Sequence, residues 1–109
     1  MSEGRKKEGG LRGMAGSAGV AEATAVMGLL SHPDRLKVLC HLTMEGELSV
    51  GELLERIELS GSALSQHLAK LRGQGLVATR KERQTVYYRV GREDVGKILE
   101  TLYGLYCEG

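Results

Sequence analysis

LSVGELLERIELSGSALSQHLAKLRGQGLV, residues 48–77, holds two short helical patterns separated by a glycine break. Ser49 and Glu52 have the S-x-x-E spacing of a capping box, in which a hydroxyl and a carboxylate each satisfy an amide left open by the first turn of a helix. Val50, Leu53, Leu54 and Ile57 then recur at i, i+3, i+4 and i+7, one apolar face of a short helix from Ser49 to Glu58. Leu59-Ser60-Gly61 interrupts the pattern. Ser62 is placed to cap a second helix running to Arg72, with Leu64, Leu68 and Leu71 on one side and Ser62, Ser65, Gln66, Ala69 and Lys70 on the other. Gly73-Gln74-Gly75 ends it. Two short helices joined by a glycine-containing turn predict a helix-turn-helix.

The flanking sequence extends this reading. Leu76–Arg80 and Thr85–Val90 are rich in β-branched and aromatic residues and predict a hairpin whose tip is Lys81–Gln84. Upstream, an Ala-, Val-, Met- and Leu-rich helix is expected over Ser17–Leu30. Ser31-His32-Pro33 punctuates the chain, with Ser31 or His32 as cap, and a further helix runs to Met44 with Leu36, Leu39 and Cys40 on one face. Downstream, Val95, Ile98, Leu99, Leu102, Leu105 and Tyr106 form an apolar stripe at helical spacing, expected to serve dimerisation. The predicted fold is mainly α with a small β-hairpin wing: a winged helix-turn-helix of five helices and a two-stranded wing over residues 17–109. It follows a disordered, Gly-rich basic arm over residues 1–16.

Length and composition fit one domain. The chain has 109 residues and neither Phe nor Trp, so its core rests on aliphatic side chains, and a core this small gains from burial in a homodimer. No apolar run reaches the ~20 residues of a membrane helix, and the amino-terminal stretch lacks the apolar segment of a secretory signal; a cytoplasmic protein without a membrane partner is expected. Two cysteines are too few for a disulfide scaffold. No triad, phosphate loop or paired-acid constellation points to an enzyme, and no resident cofactor or metal is expected.

The net charge of +1 conceals an uneven distribution. Seven Lys or Arg and one Glu give residues 60–92 a balance of +6, whereas residues 31–59 and 93–109 each carry −3. A basic block on a near-neutral chain is the footprint of a polyanion site, although charge alone fits a solvated face equally well. Its coincidence with the second helix and the hairpin favours double-stranded DNA. Gln66 can bond adenine bidentately, and Ser60, Ser62 and Ser65 can reach bases or phosphates. Lys70 and His67 flank that face, and Arg80, Lys81, Arg83 and Gln84 place the wing tip at an adjacent groove or backbone. Each phosphate contact steepens the salt dependence of binding by about 0.9 log unit per log unit of salt. Helix-turn-helix units also serve as protein-interaction modules, which leaves that class open.

LSHPDRLKVLCHL (residues 30–42), ALSQHLAKLRGQGLV (63–77) and TVYYRV (85–90) resemble the ArsR/SmtB repressors, over about residues 26–107. The resemblance implies a homodimeric winged-helix repressor of a pseudo-palindromic operator, with the first and last helices pairing across the dimer. Metal-sensing members carry a Cys-x-Cys-like element where this chain has Ser49-Val50-Gly51, or His and Asp on a last helix that here contains no His. LKVLCHL with LYGLYC is instead similar to the sulfide-responsive subgroup, the biofilm-growth-associated and sulfide-quinone-reductase repressors. That similarity implies redox-sensing by Cys40 and Cys107: a persulfide or polysulfide inducer converts them to a disulfide or polysulfide bridge and the operator is released. The alternative is a soft metal or metalloid held by Cys40, Cys107 and His41.

Overall fold

The computed structural model describes residues 10–107. Their order is α1 (10–15), α2 (Gly19–Leu30), α3 (Pro33–Glu45), β1 (Leu48–Ser49), α4 (Val50–Arg56), α5 (Gly61–Gly73), β2 (Val77–Glu82), β3 (Thr85–Val90) and α6 (Glu93–Tyr106). This is the winged helix-turn-helix, with two corrections. Of the arm expected to be disordered over 1–16, residues 1–9 lie outside the described residues, but 10–15 are helical, which makes six helices rather than five. The wing hairpin is not alone: β1 pairs antiparallel with β3, so the sheet has three strands in the order β1-β3-β2.

The core is aliphatic. Val38, Leu39 and Leu42 from α3, Leu53 from α4, Leu64, Leu68 and Leu71 from α5, Leu76, and Val95 from α6 are all essentially solvent-free. At about 1.5–3 kcal/mol per buried Leu or Val side chain, this cluster is the main source of stability. It meets at the inner faces of α3, α4 and α5, so α5 is held along its whole back by Leu64, Leu68 and Leu71.

Local chemistry fixes the boundaries. His32, not Ser31, caps α3: its Nδ1 accepts the Asp34 N–H at 3.1 Å, and Pro33 follows at the first helical position, where its missing N–H costs nothing. The Ser49–Glu52 capping box forms in both directions, at 3.2 and 2.9 Å. Ser60 rather than Ser62 caps α5, accepting from Ala63 N–H at 3.1 Å; the extended backbone falls one step before Gly61, so the helix starts at the glycine. At the other end Gly75 takes φ +75°, and the amides of Gly75 and Leu76 return to the carbonyls of Arg72 and Leu71. These are the paired bonds of a Schellman stop, for which glycine is the least strained residue. Gly91 closes the sheet, because a Cβ there would lie 2.9 Å from the Gly75 oxygen and 3.1 Å from the Ala78 nitrogen.

Candidate nucleic-acid interface and thiol groove

Helix α5 lies on the core through Leu64, Leu68 and Leu71 and turns Ser62, Ser65, Gln66, Ala69 and Lys70 to solvent. The α5–β2 stop leads directly into the hairpin, whose strands join through a two-residue turn, Arg83-Gln84. Lys81, Arg83 and Gln84 are exposed at or beside the tip. Most of the residues expected to meet DNA are thus exposed: hydroxyls and an amide on the helix, cations at its flank and on the wing. Between helix and wing, Ser65, Ala69, Arg72 and Tyr88 line a shallow concavity of about 480 Å³.

Two of the expected contacts are engaged elsewhere. The Arg80 Nε donates to both carboxylate oxygens of Glu47, at 2.9 and 2.8 Å; its Nη1 donates to Glu82 at 3.0 Å, and its guanidinium lies 4.7 Å from the centre of the Tyr87 ring. The hydrogen bond from Arg80 holds the Glu47 carboxyl below the usual carboxylate range. Arg80 is thus a brace from the wing to the segment before β1. His67 faces inward: its ring centre is 4.6 Å from that of His32 with the planes tilted by 54°, and its Nδ1 is buried without a hydrogen-bond partner. Burial, then the neighbouring His32 and Arg35, push its pKa down. His67 is a packing residue between α3 and α5, which a sequence read one helix at a time does not reveal.

The cysteines lie on another face. Cys40 lines a groove of about 440 Å³ between α3 and α6 with Thr43, Met44, Leu99, Glu100 and Tyr103. Cys40 is exposed at the groove's edge, yet partial desolvation there pushes its thiol up, and the nearby charge of Cys107 adds to the rise. Both thiols are free and do not lie at disulfide distance. His41 points away along α3, its Nδ1 3.6 Å from Glu45. Among the described residues, the three-residue set of His, Cys, Asp or Glu that converges closely enough for a metal is His32, Asp34 and His67; Cys40, Cys107 and His41 do not so converge.

The stripe expected to serve dimerisation divides. Val95 and Leu99 are buried, Ile98 and Leu102 are half-buried, and Leu105 and Tyr106 are 67% and 79% exposed, with Tyr103 beside them at 58%. Arg92 ties the start of α6 to α2 through Glu22 at 3.0 Å and holds Asp94 at 2.7 Å. Among the described residues no helix is long and apolar enough to cross a membrane.

Residues 32–79, from the α3 cap through the first residues of the wing, match the model of the bacterial regulatory proteins of the arsR family. The transcriptional activator HlyU of Vibrio cholerae serotype O1 is 51% identical over 88 residues, covering 81% of each chain. The chain belongs to the arsR family. Its fold is similar to reduced HlyU from Vibrio cholerae, with a TM-score of 0.80 at 47% identity over 87% of this chain and 99% of that one. It is also similar to the transcriptional repressor BigR from Xylella fastidiosa, with a TM-score of 0.76 at 37% identity over 83% and 91%. These relatives are named as transcriptional regulators, not as enzymes.

Proposed function

We propose that this arsR-family protein is a homodimeric repressor that reads a pseudo-palindromic DNA operator through α5 and the wing, and releases it when reactive sulfur links Cys40 to Cys107. The observation that carries the DNA reading is the solvent-facing row Ser62, Ser65, Gln66, Ala69 and Lys70 on a helix whose back is fully buried. A helix so held presents its amide and hydroxyls in one geometry, as base reading in the major groove demands. Ser60, already bonded as the helix cap, keeps its place at the entry to that groove. Lys70, Lys81, Arg83 and Gln84 supply backbone contacts. Relatives bear names of both signs, activator and repressor, so operator occupancy is the property to measure.

For the signal, support comes from Cys40, which lines an apolar groove against α6, the helix that Cys107 follows. The free thiols stand too far apart for a direct disulfide, and added sulfur widens the span that can be bridged. Each thiolate attacks the sulfane sulfur of an organic persulfide RSSH and expels RSH, leaving Cys–SSH. The two Cys–SSH groups then condense to a trisulfide with loss of hydrogen sulfide. In sum, two thiols and two persulfides give one trisulfide, one hydrogen sulfide and two RSH, with the persulfide as oxidant. A bridge from α3 to the end of α6 strains the path between the reading core and the dimer helix, and so shifts the separation of two recognition helices from one turn of DNA, about 34–36 Å.

One experiment tests both halves. Reduced protein is treated with an organic persulfide, its intact mass is taken, and its operator affinity is measured at several salt concentrations. A gain of one sulfur with the loss of two hydrogens, accompanied by operator release and absent in Cys40→Ser, is expected. Release without a mass change, or release retained in Cys40→Ser, refutes the sulfur switch. Unchanged affinity and sequence preference in Gln66→Ala refutes the DNA reading.

A further inference from the structure

We propose that His32, Asp34 and His67 form a site for a divalent transition metal, zinc above all, that ties the start of α3 to the recognition helix. His32 is the cap of α3, Asp34 lies in its first turn, and His67 sits midway along α5. One ligand atom from each stands within 4.8 Å of the other two. Zinc takes imidazole nitrogen and carboxylate oxygen at about 2.0–2.2 Å, which sets tetrahedral ligand atoms about 3.4 Å apart. The three half-buried side chains therefore need to close by roughly 1 Å, a rotamer adjustment rather than a backbone movement.

Independent observations point the same way. The tilt of 54° keeps the two rings from stacking flat, so their edges can face one point. His67 Nδ1 is buried with no partner, a condition that folded proteins rarely leave unanswered. Its environment favours the neutral ring, which is the ligating form. Asp34 supplies a negative charge next to the two imidazoles, while Arg35 and Lys70 oppose a cation and moderate its affinity. Two imidazoles and a carboxylate, without thiolate, suit zinc, nickel or copper(II) better than copper(I) or a metalloid.

His32 sets the consequence of binding. Its Nδ1 is the acceptor that caps α3. A metal either takes that lone pair, or takes Nε2 while the ring proton moves to Nδ1. Both routes exchange the cap hydrogen bond for a coordinate bond, so occupancy alters the first turn of α3 while fastening α5 to it. The site is separate from Cys40 and Cys107 and holds whether or not those thiols sense sulfur.

The test uses the full chain with Cys40→Ser and Cys107→Ser, which removes thiolate competition, freed of metal by a chelator and titrated with zinc ion alone. Titration calorimetry is expected to give one zinc per protomer, with a zinc-dependent rise in melting temperature. Both are lost in His67→Gln and in Asp34→Asn, whose melts without metal report whether each remains folded; Asp34→Asn decides the matter if the half-buried His67 proves indispensable to folding. No zinc uptake by the cysteine-free chain, or uptake unchanged in Asp34→Asn, overturns the site.

Discussion

The helix-turn-helix and the outer helices are built on opposite plans. Helices α4 and α5 carry side-chain caps at their starts, α5 ends in a Schellman stop, and every leucine on its inner face is buried by the same chain. The residues that precede α2 and α6, Ala18 and Arg92, make no side-chain cap bond, the Gly19 amide donating instead to Ser17 Oγ at 3.1 Å, and the two helices leave Val20, Met27, Tyr103, Leu105 and Tyr106 in solvent. The first unit is complete within one chain. The second leaves an apolar face uncovered, which the proposed dimer covers with a second α2 and α6. The proposed DNA contact thereby rests on a rigid element, while Cys40 and Cys107, the proposed switch, sit beside the less completely packed α6.

The comparison predicts unequal costs for equal truncations. Leu68→Ala removes a core side chain of α5 at 2% exposure and is expected to destabilise the chain by about 2–5 kcal/mol in denaturant melts. Leu105→Ala, at 67% exposure, is expected to cost the isolated chain almost nothing. Equal losses at the two positions would erase the distinction between the units. The outer helices are expected to show their value in association instead. Leu105→Glu with Tyr106→Glu places charge in the proposed interface and should weaken dimerisation at least tenfold, or about 1.4 kcal/mol, by sedimentation analysis. Operator affinity should fall with it, although no DNA-facing residue has changed. A double variant that stays dimeric at the same concentration places the interface elsewhere.

What the sequence made legible follows the same division. The capping box, the glycine stops and the leucine spacing act within a few residues, so helix-turn-helix and wing were readable from residues 48–90. The cap on α5 was misplaced by two residues because Ser60 and Ser62 are both suitable hydroxyls, 3.3 Å apart, and only the backbone chooses between them. Strand β1 could not be read: Leu48 and Ser49 become strand only because Tyr88 and Tyr87 pair with them. Arg80 looked like a free wing cation because its partner Glu47 is 33 residues away in the chain. His67 looked like a flank residue for the same reason, since its counterpart His32 lies in a different helix. Long-range pairing thus reassigned side chains in the reading unit without altering its backbone plan.

Acid provides a smaller and more selective probe. The folded chain resists protonating His67, whereas the unfolded chain takes up that proton near the ordinary histidine pKa of about 6.5. Unfolding therefore binds protons, and the stability tied to His67 is present above that pH and lost as the pH falls below it. Glu45, Glu47 and Asp94 lose their arginine partnerships only at lower pH, because those bonds hold their carboxyls below the usual range. Melts between pH 7.5 and 5.5 should show a decline in the wild type that is flatter in His67→Gln (the range is set around the histidine pKa, roughly one unit either side). Parallel profiles would mean that the α3–α5 contact does not sense protons.

The smallest expected effect lies at the wing tip, where function and local stability pull apart. Arg83 opens the two-residue turn between β2 and β3 with φ +59°, the left-handed region that a side chain makes unfavourable. Glycine meets no such penalty, so Arg83→Gly should relieve roughly 1 kcal/mol of strain, offset in part by the freedom that glycine returns to the unfolded chain. The net gain should appear as a melting temperature higher by a few degrees at most. The same change removes a cation from the proposed DNA face, so the salt slope of operator binding should flatten by about 0.9 for each protomer's lost phosphate contact. A rise in stability together with a flatter slope identifies Arg83 as a residue whose strain is retained for its contact. A flatter slope without any gain in stability would mean that the turn is as comfortable with arginine as with glycine.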